Sequence, residues 1–269
     1  MKKTIVILTG MLLLFGSCAS EFNKVYRSPD NDYKYEYAKQ LFATKKFNQA
    51  IVLLEEVVQL KKGSDQAEEC LFMLAMAQYN NSDYEGAAAT FRKYHQSYPR
   101  GIFAEQASFF VGQSLYESTP EPRLDQSPTI GAINAYQEFL DYYPESKRRQ
   151  EAQSRLFELQ DKLVLKELQN ATLYYNLGNY MGNNYESAVI TAQNAIKSYP
   201  YSKYKEDLEM LVLRARFKEA SESVEEKKQE RFRTVIDEYY SFVNDYPESK
   251  MRKEADNIFK IANKFVNGN

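Results

Sequence analysis

One segment recurs along this chain and constrains its fold more than any other feature. Each copy reads as the end of an amphipathic helix, a Tyr-Pro pair that stops it, and the start of another helix. The copies are FRKYHQSYPRGIFAEQA (91–107), YQEFLDYYPESKRRQEA (136–152), AQNAIKSYPYSKYKEDL (192–208), YYSFVNDYPESKMRKEA (239–255) and a degraded LLEEVVQLKKGSDQAEE (53–69) with Lys61-Lys62 in place of Tyr-Pro. We call these helix boundaries junctions one to five, in chain order. A repeated helix pair cannot bury its apolar face alone, so the sequence predicts a solenoid of stacked units.

Three positions before each junction carry small or apolar residues, at offsets that share one face of a helix. Counted back from the proline, or from Lys62 in the first copy, they lie twelve, eight and five residues upstream. They are Ala50, Leu54 and Val57; Ala87, Phe91 and Tyr94; Ala132, Tyr136 and Phe139; Ala188, Ala192 and Ala195; Val235, Tyr239 and Phe242. We expect all of them to be buried.

The residues after each junction predict the start of the next helix. Two positions downstream of the junction lie Ser64, Gly101, Ser146, Ser202 and Ser249. All five are residue types that favour the N-cap position, so we expect them to cap the following helices. In the first copy Asp65 and Glu68 offer a capping box as an alternative.

The N-terminus has the pattern of a bacterial export signal. Two lysines precede an apolar stretch from Thr4 to Phe15 that is too short to span a bilayer comfortably. The following Gly16-Ser17-Cys18 resembles a lipobox, in which Cys18 is acylated and cleavage falls before it; Phe15 departs from the usual aliphatic residue. An ordinary cleaved signal with an incidental cysteine is the alternative. We expect a cleaved signal peptide over residues 1–17 and a lipidated, flexible tether over 18–31.

Composition argues against several classes of function. The formal net charge is −2 and no Lys/Arg cluster is present, which disfavours binding to nucleic acid. A single histidine, His95, excludes a Ser-His-Asp triad and a multi-histidine metal site, although carboxylate-only catalysis stays open. We therefore predict no enzyme activity, no catalytic or metal-binding residues and no cofactor. Cys70, with Cys18 committed to lipid, is expected to be a buried core residue.

The repeats resemble the tetratricopeptide (TPR) family. The small residues Ala38, Ala75 and Gly112 match its first helix, and Phe47/Ala50, Tyr84/Ala87 and Tyr185/Ala188 match the opening of its second. The resemblance implies an all-α, right-handed superhelical solenoid of about five helix pairs and a closing helix. Spacings between junctions exceed the family's period of about 34 residues. We predict TPR units 1–3 over residues 32–146, and over 147–269 a long linking helix, units 4–5 and the closing helix.

Aromatic residues on the first helices of the early units are candidates for a binding groove. Such helices line the inner surface of a TPR superhelix, and aromatic side chains suit an extended apolar peptide. The candidates are Tyr33, Tyr37, Phe42 and Tyr79. The alternative is that they are packing residues, which is the commoner role of tyrosines at helical spacing.

The whole chain resembles the BamD family of outer-membrane lipoproteins. The resemblance rests on the lipobox, the irregular repeats with YPxS junctions, and RLFELQDKLVLKELQNATLYYNLGNYMGNNYESAV (155–189). It implies a lipid-anchored, periplasm-facing subunit of the β-barrel assembly (BAM) machinery. Its N-terminal repeats would receive unfolded outer-membrane proteins (33–116), and its C-terminal repeats would bind BamA, with other BAM subunits as further partners (199–252). Lys203, Lys205 and Arg214 are contact candidates, with solvated helix surface as the alternative.

Two other classes of function stay open from the sequence. The first is another envelope TPR lipoprotein that acts as an adaptor in cell-wall or cell-division processes. The second is a lipid-anchored hydrolase that uses carboxylates alone, which a single histidine makes difficult.

Overall fold

The computed structural model describes residues 21–268, and over these residues the chain is entirely helical. The signal peptide predicted over 1–17 and the lipidation site Cys18 lie outside the described residues. The helices are α1 (21–26), α2 (Asn31–Ala43), α3 (Phe47–Leu60), α4 (Ala67–Asn80), α5 (Tyr84–Ser97), α6 (Ala104–Glu117), α7 (Ser127–Tyr142), α8 (Arg149–Leu177), α9 (Asn184–Ser198), α10 (Lys205–Ser221), α11 (Glu225–Asp245) and α12 (Arg252–Asn267). This all-α architecture of consecutive helix pairs is that of a TPR solenoid.

The chain divides into two compact units, each with its own packing. Within the described residues, unit 1 comprises 21–119 and Ile130–Gln153, and unit 2 comprises Pro120–Thr129 and 154–268. The boundary therefore falls inside α8 rather than at residue 146. The segment that joins α6 to α7 belongs to unit 2, where the Lys166 ammonium donates to the Leu124 carbonyl (3.0 Å).

The face predicted from the repeat offsets is confirmed. All fifteen residues at the three offsets before the junctions are buried. In unit 1 the residues before junctions one and two join two cores, one around α2, α3 and α4 and one around α4, α5 and α6. In unit 2 the residues before junctions four and five contribute to one core around α9 and another that includes α11 and α12. The repeat signature is therefore a packing signature.

The prediction that tyrosine leaves the helix at each Tyr-Pro junction is also confirmed where the cap is described. Tyr98, Tyr199 and Tyr246 are the C-cap residues of α5, α9 and α11. Their φ/ψ values are −131/63°, −136/69° and −131/68°, so the three backbones have the same non-helical conformation. The ring of the following proline disfavours helical ψ at these tyrosines.

The predicted serine N-caps are wrong. Helices α10 and α12 begin after N-cap residues Tyr204 and Met251, and neither makes a side-chain capping bond. One turn intervenes first, because the Lys205 N–H bonds to the Ser202 carbonyl and the Arg252 N–H to the Ser249 carbonyl (3.1 Å each). The capping box at Asp65 and Glu68 is not formed either, since Gln66 is the N-cap of α4.

The prediction of a flexible tether over residues 18–31 is wrong for its described part. Residues 21–26 form α1, and Val25 is fully buried in the first core with Phe22 packed against that core. Burial of Val25 holds α1 against the first helix pair. The predicted long element over 147–181 is a single helix, α8, of 29 residues.

Candidate functional site

The predicted aromatic groove contains one clearly exposed side chain. Tyr33 is 39% exposed in the first turn of α2. Tyr37 is buried, and Phe42 packs on the same core with its ring 5.6 Å from Phe47. Tyr79 packs edge-on against Tyr84 and Phe110, at ring distances of 5.6 and 5.1 Å. Of the four candidates, only Tyr33 presents a large part of its ring to solvent.

The position of Tyr33 follows from the cap of α2. The Asp30 carboxylate accepts hydrogen bonds from the N–H groups of Asp32 and Tyr33, at 3.0 Å each. These two capping bonds fix the start of α2 and place Tyr33 in its first turn. The Tyr33 ring then lies 6.5 Å from the ring of Tyr37, which is fixed in the core.

Most other aromatic side chains of unit 1 belong to its interior. Phe72 stacks on Phe103 at 4.3 Å and meets Phe91 and Tyr94 edge-on, at 5.7 and 5.6 Å. Edge-on and stacked ring pairs stabilise the packing beyond their buried area. The aromatic content of these repeats is therefore largely explained by the core.

The three predicted cationic contacts differ in how far they are already paired. Arg214 makes a two-pronged bond to Glu254, with both N···O distances at 2.7 Å. These hydrogen bonds raise the pKa of Arg214 and lower the pKa of Glu254. The Lys205 ammonium lies 3.2 Å from Glu209 and 3.3 Å from Asp245. Burial alone would lower the pKa of Lys205, but the bonds to these two carboxylates raise it overall.

Lys203 is the most available of the three cations. Its ammonium lies 3.5 Å from Asp161, and its side chain is 64% exposed. Because this ammonium is largely exposed and its ion pair is long, Lys203 can form an ion pair with a partner protein instead at small cost. Lys205 and Arg214 instead connect neighbouring helices of unit 2.

Junction four forms an open cavity that the sequence analysis did not single out. It has a volume of about 490 Å³ and is lined by two segments, 156–161 of α8 and 198–203. Tyr201 is 88% exposed and Phe157 is 50% exposed on this surface. The Ser202 hydroxyl donates to Asp161 Oδ1 (2.6 Å), and the Lys203 N–H bonds to the same oxygen (3.2 Å), which fixes the junction against α8.

A signal for this surface was present in the repeats. The residue between proline and serine or glycine is charged at junctions two, three and five, as Arg100, Glu145 and Glu248. At junction four it is Tyr201, which breaks the polar pattern. Tyrosine is one of the residue types enriched among the energetically important residues of protein interfaces, and Tyr201 is exposed here.

A second apolar surface follows the last turns of α8. Leu173, Tyr174, Leu177, Tyr180 and Met181 are all exposed. They lie within residues 168–185, a stretch without any charged side chain. Sequence reasoning used this stretch only for the family resemblance, because periodicity alone does not show which apolar residues remain uncovered.

The single histidine of the sequence packs within unit 1. The His95 ring nitrogen Nε2 lies 3.0 Å from the Tyr143 hydroxyl in a cavity of unit 1. Among residues 21–268, no group of three or more His, Cys, Asp or Glu side chains could hold a metal ion. None of the helices in that range combines the length and apolar composition needed to cross a membrane.

Comparison with known proteins gives a matching family and similarity to solved structures. The family described as "YfiO: Outer membrane lipoprotein" matches residues 28–183, more than half of the chain. A solved structure titled "TPR2AB-domain:pHSP90-complex of yeast Sti1" is 14% identical, with 86% of this chain and 98% of that chain covered at a TM-score of 0.39. No match is found among curated proteins.

Proposed function

This chain belongs to the YfiO family of outer membrane lipoproteins, and from this premise we propose that it is a lipid-anchored scaffold subunit of the β-barrel assembly machinery. In this role it binds BamA and further BAM subunits, and receives unfolded outer-membrane proteins for folding and insertion. The family match is the observation that carries the proposal. It supports association with the outer membrane, and the TPR fold supports a role in binding proteins.

The anchor is Cys18. The Gly-Ser-Cys sequence after an apolar segment has the features of a lipobox, and acylation adds about 0.8 kcal/mol of membrane affinity per buried CH₂ group. Two or three acyl chains therefore hold the protein on the membrane without any spanning helix. We place the body on the periplasmic side, where BamA and the unfolded substrates would meet it.

Substrate binding is assigned to unit 1 and centres on Tyr33. Tyr33 is exposed at the start of α2, while Tyr37, Phe42 and Tyr79 form the packed base that holds α2 and its neighbours in place. A tyrosine on a rigid helix offers contact area at a low cost in conformational entropy, which suits an extended apolar segment of an unfolded chain.

BamA binding is assigned to unit 2 and centres on junction four. Tyr201 and Phe157 supply apolar contact area, and the weakly paired Lys203 supplies a charge at the rim. Lys205 and Arg214 contribute by fixing α10 to its neighbours through Asp245 and Glu254. No reaction is assigned to the chain, which acts by bringing partners together.

Co-isolation from detergent-solubilised envelopes tests the proposal. The protein as it exists in the envelope, carrying a C-terminal affinity tag, should recover BamA as a major partner by mass spectrometry. A variant of the proposed binding surface, Tyr201→Ala with Lys203→Glu, should recover much less BamA while remaining folded and in the membrane. Recovery of cell-division or cell-wall proteins without BamA would overturn the assignment in favour of another envelope adaptor.

The anchor has its own test. Cys18→Ser should be unacylated and should leave the membrane fraction. Unchanged fractionation of Cys18→Ser would refute the lipobox assignment.

A further inference from the structure

Helix α1 is an integral part of the first repeat. Val25 is completely buried, and Phe22 packs against the same core, which also contains Leu41, Leu53 and Cys70. The short link from α1 to α2 is also ordered, because the Asp30 N–H bonds to the Ser28 hydroxyl (3.1 Å) and Asp30 caps α2. The position of α1 therefore determines the position of the first helix pair.

The anchor is very close to α1 along the chain. Only residues 19 and 20 separate Cys18 from the first residue of α1. A chain advances at most about 3.6 Å per residue, so Cys18 and the beginning of α1 are at most about 11 Å apart. Acyl chains keep the backbone of Cys18 at the boundary of the hydrocarbon. The helix must then lie within or just above the headgroup layer.

The exposed residues of α1 have the chemistry of a membrane interface. Tyr26 is 45% exposed and stacks on the partly exposed Phe22 at a ring distance of 6.1 Å. Lys24 and Arg27 are exposed, and no ion pair joins either of them to a residue within 21–268. Aromatic rings favour the headgroup level, and Lys and Arg side chains are attracted to an anionic bilayer.

We propose that α1 docks on the bilayer surface through its exposed residues Lys24, Tyr26 and Arg27, and so fixes the first repeat against the membrane. The occupant of this face is lipid, because the covalent anchor a few residues upstream brings lipid there in every acylated molecule. The inference rests on the anchor of the proposed function. Its consequence is that Tyr33, at the start of the next helix, is held close to the membrane.

The absence of tryptophan from the sequence permits a direct test. Tyr26→Trp introduces a single fluorophore into the acylated full-length protein, which is reconstituted in phosphatidylethanolamine–phosphatidylglycerol vesicles. We expect the emission of this tryptophan to shift to shorter wavelength and to be strongly quenched when the lipid acyl chains are brominated. The matched control is Tyr142→Trp, at a site 69% exposed in the third repeat, whose emission should stay water-like and unquenched.

Charge reversal separates docking from anchoring. Lys24→Glu with Arg27→Glu, in the Tyr26→Trp background, should weaken the quenching while the protein still floats with the vesicles. If Cys18 is acylated by mass spectrometry and the protein floats, but the emission of Tyr26→Trp stays water-like, the docking inference is overturned and the anchor stands. If Cys18 is not acylated, the anchor itself fails and the inference fails with it.

Another occupant would give a different result. Shielding of the fluorophore in Tyr26→Trp without vesicles, increasing with protein concentration or appearing only with a purified partner protein, would show that protein covers this face. That outcome also overturns the inference.

Discussion

Gly112 shows how closely the helices of unit 1 approach at single residues. It lies in α6, and a Cβ atom built on it would be 2.8 Å from Cδ1 and 3.0 Å from Cε1 of the Tyr136 ring. The ring cannot move away easily, because Tyr136 is completely buried and its hydroxyl donates to Gln113 at 2.8 Å. The small residue of the repeat pattern is therefore required by a specific neighbour.

Gly112→Ala should destabilise the protein by about 1–3 kcal/mol, the usual cost of overpacking a filled core. Urea unfolding measures this loss. Gly131→Ala is the matched control, because its Cβ would meet nothing within 4 Å and alanine favours the interior of α7 by about 0.5–1 kcal/mol. Equal midpoints for Gly112→Ala and the parent protein would show that the ring of Tyr136 can yield.

Cys70 should make stability depend on alkaline pH. Burial, followed by the nearby charge of Glu69, raises the pKa of the Cys70 thiol from 9.0 to about 11. A pKa raised on folding gives stability that is present below about pH 9 and lost as pH rises towards 11. The slope for one thiol cannot exceed about 1.4 kcal/mol per pH unit.

Urea midpoints of the parent and Cys70→Ala at pH 7, 9 and 11 measure this contribution. The alanine variant starts from a lower stability but should lose less of it between pH 9 and 11. Parallel pH profiles for the two proteins would contradict the assignment. As an independent check, Cys70 should resist alkylation at pH 8 until the protein unfolds.

At the scale of the element, a serine at junctions three, four and five holds the turn in place by hydrogen bonds. The hydroxyls of Ser146, Ser202 and Ser249 donate to Glu105, Asp161 and Glu206 at 2.6, 2.6 and 2.5 Å. The same hydroxyls accept from backbone N–H groups two residues later, at 3.0, 3.3 and 2.9 Å. Each serine thus joins the turn at the end of one repeat to a carboxylate in the first helix of that same repeat.

Junction two reaches the same result with different residues. A Cβ at Gly101 would collide with Glu68 and with the Tyr94 hydroxyl, so serine does not fit there. Instead Tyr94 donates to Glu68 and accepts from the Phe103 N–H. The recurrence of serine could be read from the sequence, but its partner lies about 40 residues upstream and only the packed helices reveal it.

Ser249→Ala should cost about 1.5–3 kcal/mol, the range for a hydrogen bond to a charged group, because it leaves Glu206 without this donor. Thermal or urea unfolding measures the loss. The matched control is Ser221→Ala, because Ser221 is exposed and its hydroxyl bonds to the Phe217 carbonyl of its own helix; this change should affect stability little. A similar small effect in both variants would mean that the hydrogen bond from Ser249 to Glu206 contributes little to stability.

At the scale of the whole molecule, the sequence predicts which residues are buried better than it predicts the contacts of the exposed residues. The period of the repeats predicted the buried helix face before each of the five junctions, because burial recurs with the helical period. It did not predict that Lys205 and Arg214 would be paired, since Asp245 and Glu254 are 40 residues away in sequence. It also did not separate the exposed Tyr33 from the buried Tyr37, because both lie on aromatic-rich turns of the same helix.

Two units with separate exposed aromatic residues lead to a prediction of separable tasks. Tyr33→Ala should weaken binding of an unfolded peptide from an outer-membrane β-barrel protein by about tenfold, equivalent to about 1.4 kcal/mol for one contact residue. It should leave BamA co-isolation unchanged. Tyr201→Ala with Lys203→Glu should reduce BamA recovery and leave peptide binding intact, because Tyr201 belongs to unit 2 and Tyr33 to unit 1.

Fluorescence anisotropy of the labelled peptide and tag-based recovery of BamA measure the two activities on the same preparations. Tyr142→Ala in unit 1 and Val224→Ala in unit 2 remove exposed apolar side chains outside the proposed surfaces, and should change neither activity. If the Tyr33 and Tyr201 variants stay folded yet each impairs both activities, the two tasks share one surface. If peptide binding falls only with Tyr201→Ala, substrate recognition belongs to unit 2, and the exposed tyrosine of α2 serves the membrane-proximal repeat in another way.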